Sequence, residues 1–423
     1  MDARVSSKVN PSTFEADVRE IVGAKCVRTA AAEDAVTGVQ TGIVAEPGNE
    51  RELAKVLKLA NAAGLAVIPR GGGTKLEWGN RPARADVILS LARMNRVIAH
   101  AWADLTVNVE AGCTIGKLQE TLAKHGQQLA LDALWSERAT VGGVLSTNDS
   151  GVLRLRFGSL RDLVIGVTLA LADGTVASSG GRVVKNVAGY DLPKLVTGAL
   201  GTLGVITSAF FRLHPLPRER RTISWAMGDL RSAQKAVLAI QNSKLAHSGL
   251  QIFCGEGKSR VDVLLEGTEA GLTAQVQMVK GIVGAAVAGE SSEVWGAREE
   301  ICSAGEGDVA VVKFAILPGL VGETLESVAG YSAGLWWSAV VQATGIGWMR
   351  VEGPVGLMGA ALKKFRAGIE ESGGSVVVLR RAVGMGDMEA WGEAGDAVGL
   401  MRAVKGQFDP RGTLNPGRFV GRI

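Results

Sequence analysis

The stretch "AVIPRGGGTKLEWG", Ala66 to Gly79, sets three consecutive glycines directly behind a short apolar run. Upstream, Gly42–Pro47 reads as a strand. Asn49 with Glu52 three residues on forms a capping-box pattern, an amide replacing the usual hydroxyl. Leu53, Val56, Leu57, Ala60 and Ala63 then recur at helical spacing. Gly64 ends that helix, and Leu65–Pro69 is a second strand. The glycines therefore close a β-α-β unit. Such a loop either makes a tight connection or brings bare backbone against an anion, where converging N–H groups form a concave nest with no Cβ in the way. Pro69 fixes φ at the entry to the loop, and Thr74 adds a hydroxyl donor.

Two familiar phosphate loops fail on spacing. "GCTIGKL" (Gly112–Leu118) is one residue short of a Walker A loop and ends in leucine, and "GTKLEWGN" does not open a helix as a dinucleotide fingerprint requires. The chain instead offers an ordered set of bare loops. The first runs Pro69-Arg70-Gly71-Gly72-Gly73-Thr74, with Gly79 shortly after. The second is "ATVGGVLSTNDSG" (Ala139–Gly151), a turn-rich loop holding Thr140, Gly142, Gly143, Thr147, Asn148 and Gly151. The third is "TGALGTLGVIT" (Thr197–Thr207), holding Gly204, Val205 and Ile206. Asn415-Pro416-Gly417 stands at the far end.

Composition narrows the function classes. Lys+Arg 46 against Asp+Glu 42 leaves a net charge of +4 over 423 residues, which gives no support for nucleic acid or an anionic membrane as the main partner. Cys26, Cys113, Cys254 and Cys302 lie far apart with no C-x-x-C pair, so neither an iron–sulfur nor a zinc framework is present in the pattern. The first twenty residues lack the apolar core of a signal peptide, and no apolar run reaches the length of a membrane span. A soluble cytoplasmic protein is the expectation.

Further strands are expected at Val87–Leu91, Thr106–Val109 and Ser208–Leu213, a helix near Ile115–His125, and a hairpin around Asp173-Gly174. "HPLPRER" (His214–Arg220) breaks the pattern. Beyond it, strand-like runs at Thr222–Ala226, Leu250–Cys254, Val261–Leu265, Val309–Leu317, Gly347–Val351 and Ser375–Arg380 alternate with helices near Ser232–Gln241, Leu272–Val283, Gly322–Ser332 and Val355–Glu371. That rhythm is an α+β layer, a mostly antiparallel sheet with helices on one face. A last helix, Ala397–Gln407, leads into "FDPRGTLNPGRF".

The series of loops resembles the vanillyl-alcohol-oxidase or PCMH type of FAD-binding family. Within it, "VIPRGGGTKLEWG", "GRVVKNVAGYDLPKLVTGALGTLGVIT" (Gly181–Thr207) and "FDPRGTLNPGRF" are most similar to the flavin-binding E subunits of bacterial glycolate oxidases. The likeness is dense from Glu46 to Leu216 and over the last dozen residues, and weak between. It implies an α+β fold: a two-subdomain FAD-binding domain over residues 1–217, a ferredoxin-like α+β cap over 218–395, and a segment 396–423 packing back on the FAD domain. The first two loops then hold the FAD pyrophosphate, the third lies beside the adenine or the isoalloxazine, and Asn415 returns to the flavin.

The same resemblance implies partners, namely a larger FAD-binding subunit and an iron–sulfur subunit, with glycolate or a similar small 2-hydroxy acid as substrate. Peripheral membrane association through such a complex is a further implication. Relatives that bond FAD covalently carry histidine where Thr74 stands, so non-covalent FAD is expected. Catalytic relatives carry a histidine-rich metal motif in the cap; here His100, His125, His214 and His247 show no ligand spacing, and no metal site is expected. The cap offers Arg260, Arg350, Arg380 and Arg381; Arg350 and Arg380, on strands, read as solvated strand ends in preference to a substrate clamp, and none of the four is expected to be catalytic. Lys185, Tyr190 and Asp191 read either as a cofactor or interface edge or as a structural lysine–aspartate contact. No catalytic base is legible. Three readings remain: a flavin subunit of a glycolate oxidase complex, a self-sufficient FAD-dependent 2-hydroxy-acid dehydrogenase, and a flavin-less assembly subunit.

Overall fold

In a computed structural model the described residues are 11–183, 189–255, 257–284, 292–305, 307–386 and 388–423. Lys185 lies outside them. The β-α-β unit forms as its sequence dictates. Strands Ile43–Ala45, Val87–Ser90 and Val67–Arg70 are adjacent and parallel, with Val27–Thr29 antiparallel at the outer edge. Helix Glu50–Ala62 is capped by the Asn49 side chain, which accepts from the Glu52 amide. Val87–Ser90 is buried throughout, which is why it reads as a continuous apolar run and not an alternating one.

A second sheet has five antiparallel strands in the order Val97–Ala101, Thr106–Glu110, Val205–Arg212, Val164–Ala170, Val176–Gly180. The expected hairpin at Asp173-Gly174 joins its last two strands. Both sheets share one core, running from Leu53 and Val67 to Val109, Leu169 and Phe211.

The third sheet has seven antiparallel strands in the order Glu219–Met227, Lys258–Gly267, His247–Gly255, Trp336–Gln342, Ile346–Glu352, Val309–Ala315, Ser375–Arg380. Its two faces separate by period two. Ala310, Val312 and Phe314 pack under helices Leu230–Gln241, Glu269–Val283, Val321–Ala329 and Val355–Glu371. Val309 and Val311 face the other way, against Trp78 and Leu134 of the first half. Strand Trp336–Gln342 escapes the sequence reading, because its polar end and paired tryptophans look like a loop; in the sheet Trp337 packs on the helix-side core and Val340 on the opposite face.

Helix Val398–Phe408 carries the chain back to the first sheet. There the Val67 amide donates to the Thr413 carbonyl at 2.7 Å and the Asn415 amide to the Val67 carbonyl at 3.0 Å. The tail thus covers the open edge of strand Val67–Arg70, an edge that would otherwise expose unpaired backbone. Among the described residues no helix is long and apolar enough to cross a membrane.

Candidate functional site: a cleft of bare backbone

One expectation about the second loop is overturned. "ATVGGVLSTNDSG" is not a loop but starts with a helix, Val141–Thr147. Thr140 caps it, its hydroxyl accepting from the Gly143 amide at 3.4 Å. Val141, Val144 and Leu145 bury one face at i, i+3, i+4 spacing. Two glycines weaken its propensity by about 1 kcal/mol each, yet a Cβ on Gly142 would come within 2.8 Å of the Ala111 side chain. Close packing required glycine, and tertiary contacts supply the helix.

The C-terminal end of strand Val67–Arg70, the start of this helix, the run Leu200–Ile206 and the returning tail enclose a cleft. Pro69, Arg70, Gly71, Gly72, Gly73, Thr74, Thr140, Gly142, Gly143, Thr147, Gly204, Val205, Ile206 and Asn415 all line it. Gly79, Asn148 and Gly151 do not. Gly79 turns the chain at φ +85° and its carbonyl accepts from Arg381. Asn148 ends the new helix at φ 48°, and the Gly151 amide donates to Asp132.

Two loops lock together at the mouth. A Cβ built on Gly71 would lie 1.9 Å from the Thr140 hydroxyl, and one on Gly72 would lie 1.8 Å from the Arg138 carbonyl oxygen. Gly73 has room but holds φ +72°. Among the described residues, the amides of Gly71, Gly72, Gly73 and Thr74 make no hydrogen bond to the protein. Four successive free donors on one cleft wall are what an anionic group requires of backbone.

The charges agree. Among the described residues no carboxylate lines the cleft, whereas Arg70, Lys75 and Arg418 do. Arg70 is committed to buried Asp34 at 2.6 Å; hydrogen bonds from Arg28 and then Arg70 hold that carboxyl far below its usual range. Lys75 reaches Asp149 at 3.2 Å, and Arg298 reaches the other oxygen of Asp149 at 2.8 Å. Burial works against the Asp149 charge, but Arg298 and Lys75 together bring its pKa below normal.

Arg418 has no acidic partner among the described residues. It is 3 % exposed and donates to the carbonyls of Leu76 and Trp78, with its Nε unpaired. Burial, with Arg381 nearby, pushes it down to about 10. Asn415, at φ 45°, donates from its side chain to the Leu200 carbonyl at 2.5 Å and so fixes the third loop to the tail.

Lys75, Ser146 and Arg418 line the cleft without having been singled out from sequence. Lys75 and Arg418 lie within quoted motifs, and an isolated basic residue beside a glycine run was the only signal available. Elsewhere, Arg350 is no solvated strand end. It is 8 % exposed, paired with Glu352 at 2.5 Å and donating to the Ser303 carbonyl at 2.7 Å. Arg380 pairs with Glu77 and Arg260 with Asp262. Asp191 caps helix Leu192–Val196 and pairs with Lys194 at 2.6 Å, while Tyr190 is exposed.

Residues 41–180 match the family described as FAD binding domain, and residues 382–419 match FAD linked oxidases, C-terminal domain. The two matched segments carry the cleft's first two loops and the returning tail. Over the whole chain the fold is that of the PCMH-type FAD-binding proteins. An alkyldihydroxyacetonephosphate synthase structure superposes with TM-score 0.77 at 16% identity over 98% of this chain and 87% of that one. A p-cresol methylhydroxylase structure with substrate bound gives 0.76 at 17% over 96% of both. FAD is the cofactor of this fold here, and the four free amides, the absence of carboxylates and the unmatched Arg418 fit its diphosphate.

Among sequence relatives, the D-lactate dehydrogenase of Archaeoglobus fulgidus is 34% identical over 203 residues, 48% of this chain and 45% of that one. Glycolate oxidase subunit GlcD of Bacillus subtilis is 30% identical over 210 residues, 50% and 45%. The mitochondrial D-2-hydroxyglutarate dehydrogenase of Bos taurus is 28% identical over 427 residues, 89% and 76%. The chain thus spans less than half the length of the first two of these relatives.

Proposed function

We propose that this protein is an FAD-dependent oxidoreductase of small 2-hydroxy acids. In this reading it is the flavin-binding subunit of a glycolate-oxidase-type complex in the cytoplasm, with a larger FAD-binding subunit and an iron–sulfur subunit as partners. The observation that carries it is the cleft wall of four unpaired amides, Gly71 to Thr74, in a fold whose matched relatives are named for D-lactate, glycolate and D-2-hydroxyglutarate. Bound FAD supplies the oxidant that accepts a hydride from the hydroxyl-bearing carbon.

The chain's own residues divide the work of holding it. The Gly71–Thr74 amides, with Thr140, Gly142 and Gly143, hold the pyrophosphate. Gly204, Val205 and Ile206, kept in place by the Asn415–Leu200 bond, form the wall beside the rings. Thr74 offers no imidazole for a bond to the flavin, so attachment is non-covalent, and acid precipitation releases the yellow colour into the supernatant.

The test is an anaerobic visible spectrum of the purified chain before and after glycolate. A yellow protein that bleaches with glycolate, D-lactate or D-2-hydroxyglutarate supports the reading. A colourless protein that takes up no added FAD overturns it. A yellow protein unchanged by all three acids assigns the oxidation to a partner.

A further inference from the structure

The last turn of helix Val398–Phe408 carries a buried ion pair outside the flavin cleft. Lys405 pairs with Asp409 at 2.6 Å, their side chains 11 % and 0 % exposed. An ammonium has three protons to donate, and here they go to three different places. Besides Asp409, Lys405 donates to the Thr202 carbonyl at 2.7 Å and to the Leu414 carbonyl at 3.0 Å. Asp409 in turn accepts the Thr413 amide at 3.0 Å and the Leu414 amide at 2.7 Å. Its carboxylate thus shapes the turn that delivers Thr413 and Asn415 to the Val67 backbone. Burial acts against the Lys405 charge and Asp409 supports it. Such a cation is held in one geometry, and losing one partner leaves the others unsatisfied.

The bond to Thr202 reaches beyond the tail. Thr202 is buried in the third loop, between Leu200-Gly201 and Gly204-Val205-Ile206, and those five residues line the cleft. Leu200 holds φ 49° and Gly201 φ 67°. A leucine in the left-handed region is strained, and such strain persists only where the surroundings impose it. Here the tail imposes much of it. Asn415 takes the Leu200 carbonyl, and Lys405 takes the Thr202 carbonyl two residues on. The Leu200 amide is held separately, by the Ser146 carbonyl at 2.8 Å. Lys405, Asp409 and Thr202 do not themselves line the cleft. Whatever Lys405 does for a ligand there, it does through the loop.

We propose that Lys405, oriented by Asp409, is a positioning residue for the flavin. It fixes the third loop in its strained shape from outside the cleft, so that docking of the tail and binding of the cofactor are one coupled event. This rests on the FAD reading given above. Coupling between two binding events is reciprocal. A docked tail that tightens FAD requires that bound FAD hold the tail down by the same factor. The tail of the flavin-free chain therefore opens more often than that of the loaded one, and Lys405 is the link through which it does so.

The experiment uses the full chain purified with its flavin, as wild type, as Lys405→Met and as Arg402→Met. Arg402 lies on the same helix and donates to the Gly421 carbonyl at 3.0 Å, so its loss loosens the helix without touching the third loop. Flavin release is followed by the rise in flavin fluorescence on dilution. Hydrogen exchange of residues 398–415 is compared with FAD bound and with FAD removed, helix Leu230–Gln241 serving as the internal reference. Release at least tenfold faster in Lys405→Met and unchanged in Arg402→Met is expected. Removing FAD from wild type should speed exchange over 398–415 at least tenfold while the reference helix keeps its rate, and Lys405→Met should lose that dependence. Release at the wild-type rate from Lys405→Met, equal acceleration in both variants, or wild-type exchange over 398–415 that ignores FAD overturns the proposal. The wild-type exchange comparison decides the question even where Lys405→Met fails to fold. A wild-type chain that neither carries FAD nor takes it up defeats the flavin reading itself, a result distinct from a loaded chain whose tail ignores its cofactor.

Discussion

Gly72 lies so close to Arg138 that a β-carbon on it would stand 1.8 Å from the Arg138 carbonyl oxygen. The backbone of the second loop, not a flexible side chain, is in the way, so relief must come from moving the first loop. The amides of Gly71 to Thr74 move with it. Gly72→Ala is therefore expected to lower the flavin-to-protein ratio at least tenfold, and Gly72→Val to abolish flavin binding, while the far sheet keeps its fold. Absorbance at the flavin band against protein concentration reads the ratio, and far-ultraviolet circular dichroism reads the fold. Full flavin in Gly72→Val would defeat the assignment of this loop.

The control comes from a glycine with open space. Gly399 sits in helix Val398–Phe408 with nothing within 4 Å of a built Cβ and no left-handed φ. Gly399→Ala is expected to keep all its flavin and to raise stability by about 0.5–1 kcal/mol through the lower backbone entropy of alanine. Chemical denaturation followed by circular dichroism measures it.

Asn415 is held at φ 45°, which asparagine tolerates better than most side chains, and its amide bonds the Leu200 carbonyl. Asn415→Gly keeps the backbone conformation and removes that bond together with the long 3.5 Å one that the Asn415 side chain accepts from Arg418, so a loss of about 1 kcal/mol is expected. Asn415→Ala adds backbone strain of about 1–2 kcal/mol. Flavin affinity should fall in both, because the third loop loses its tie to the tail. Paired unfolding and FAD titrations distinguish the two contributions.

Much of this architecture is legible from spacing alone, and the exceptions have physical causes. Helix Glu50–Ala62 and helix Val355–Glu371 carry their own apolar stripes, the first with its Asn49 cap as well, so local sequence suffices. Helix Val141–Thr147 hides because Gly142 and Gly143 look like turn residues, whereas close contact with Ala111 selects them. The glycine loops announce the cleft, since bare backbone has few other uses at such spacing. Its charges do not: Lys75 and Arg418 are single basic residues whose burial depends on distant segments. Arg350 misleads for the same reason, because the Ser303 carbonyl that takes its guanidinium ends a helix 47 residues earlier in the chain.

Asp149 joins two buried cations, Lys75 and Arg298, across the junction of the two halves. Asp149→Asn leaves both without their shared counter-charge, and a loss of about 3–5 kcal/mol is expected. Since the folded Asp149 has a lowered pKa, its contribution is present above the unfolded value of 3.8 and disappears as pH falls through the lower folded value. The stability gap between wild type and Asp149→Asn should therefore narrow in strong acid. Urea denaturation midpoints from pH 7 down to pH 3 follow it, and a constant gap would mean that the carboxylate's charge is not what holds the junction.

Lys313 makes the opposite prediction, because burial outweighs the nearby Asp149 charge. Burial lowers its pKa to about 8 from the model-compound 10.5, so below pH 8 the folded chain carries the proton at a cost of up to about 3 kcal/mol. Between pH 8 and pH 10 the unfolded chain binds that proton more tightly than the folded one, and this group's contribution to stability must rise with pH. Lys313→Met removes the charge while keeping an unbranched apolar stem, and it is expected to raise the melting temperature at pH 7. The advantage over wild type should shrink as pH approaches 10, where the lysine is neutral in the fold. A Lys313→Met protein less stable than wild type at pH 7 would mean that the favourable contacts of the ammonium outweigh the cost of burying it.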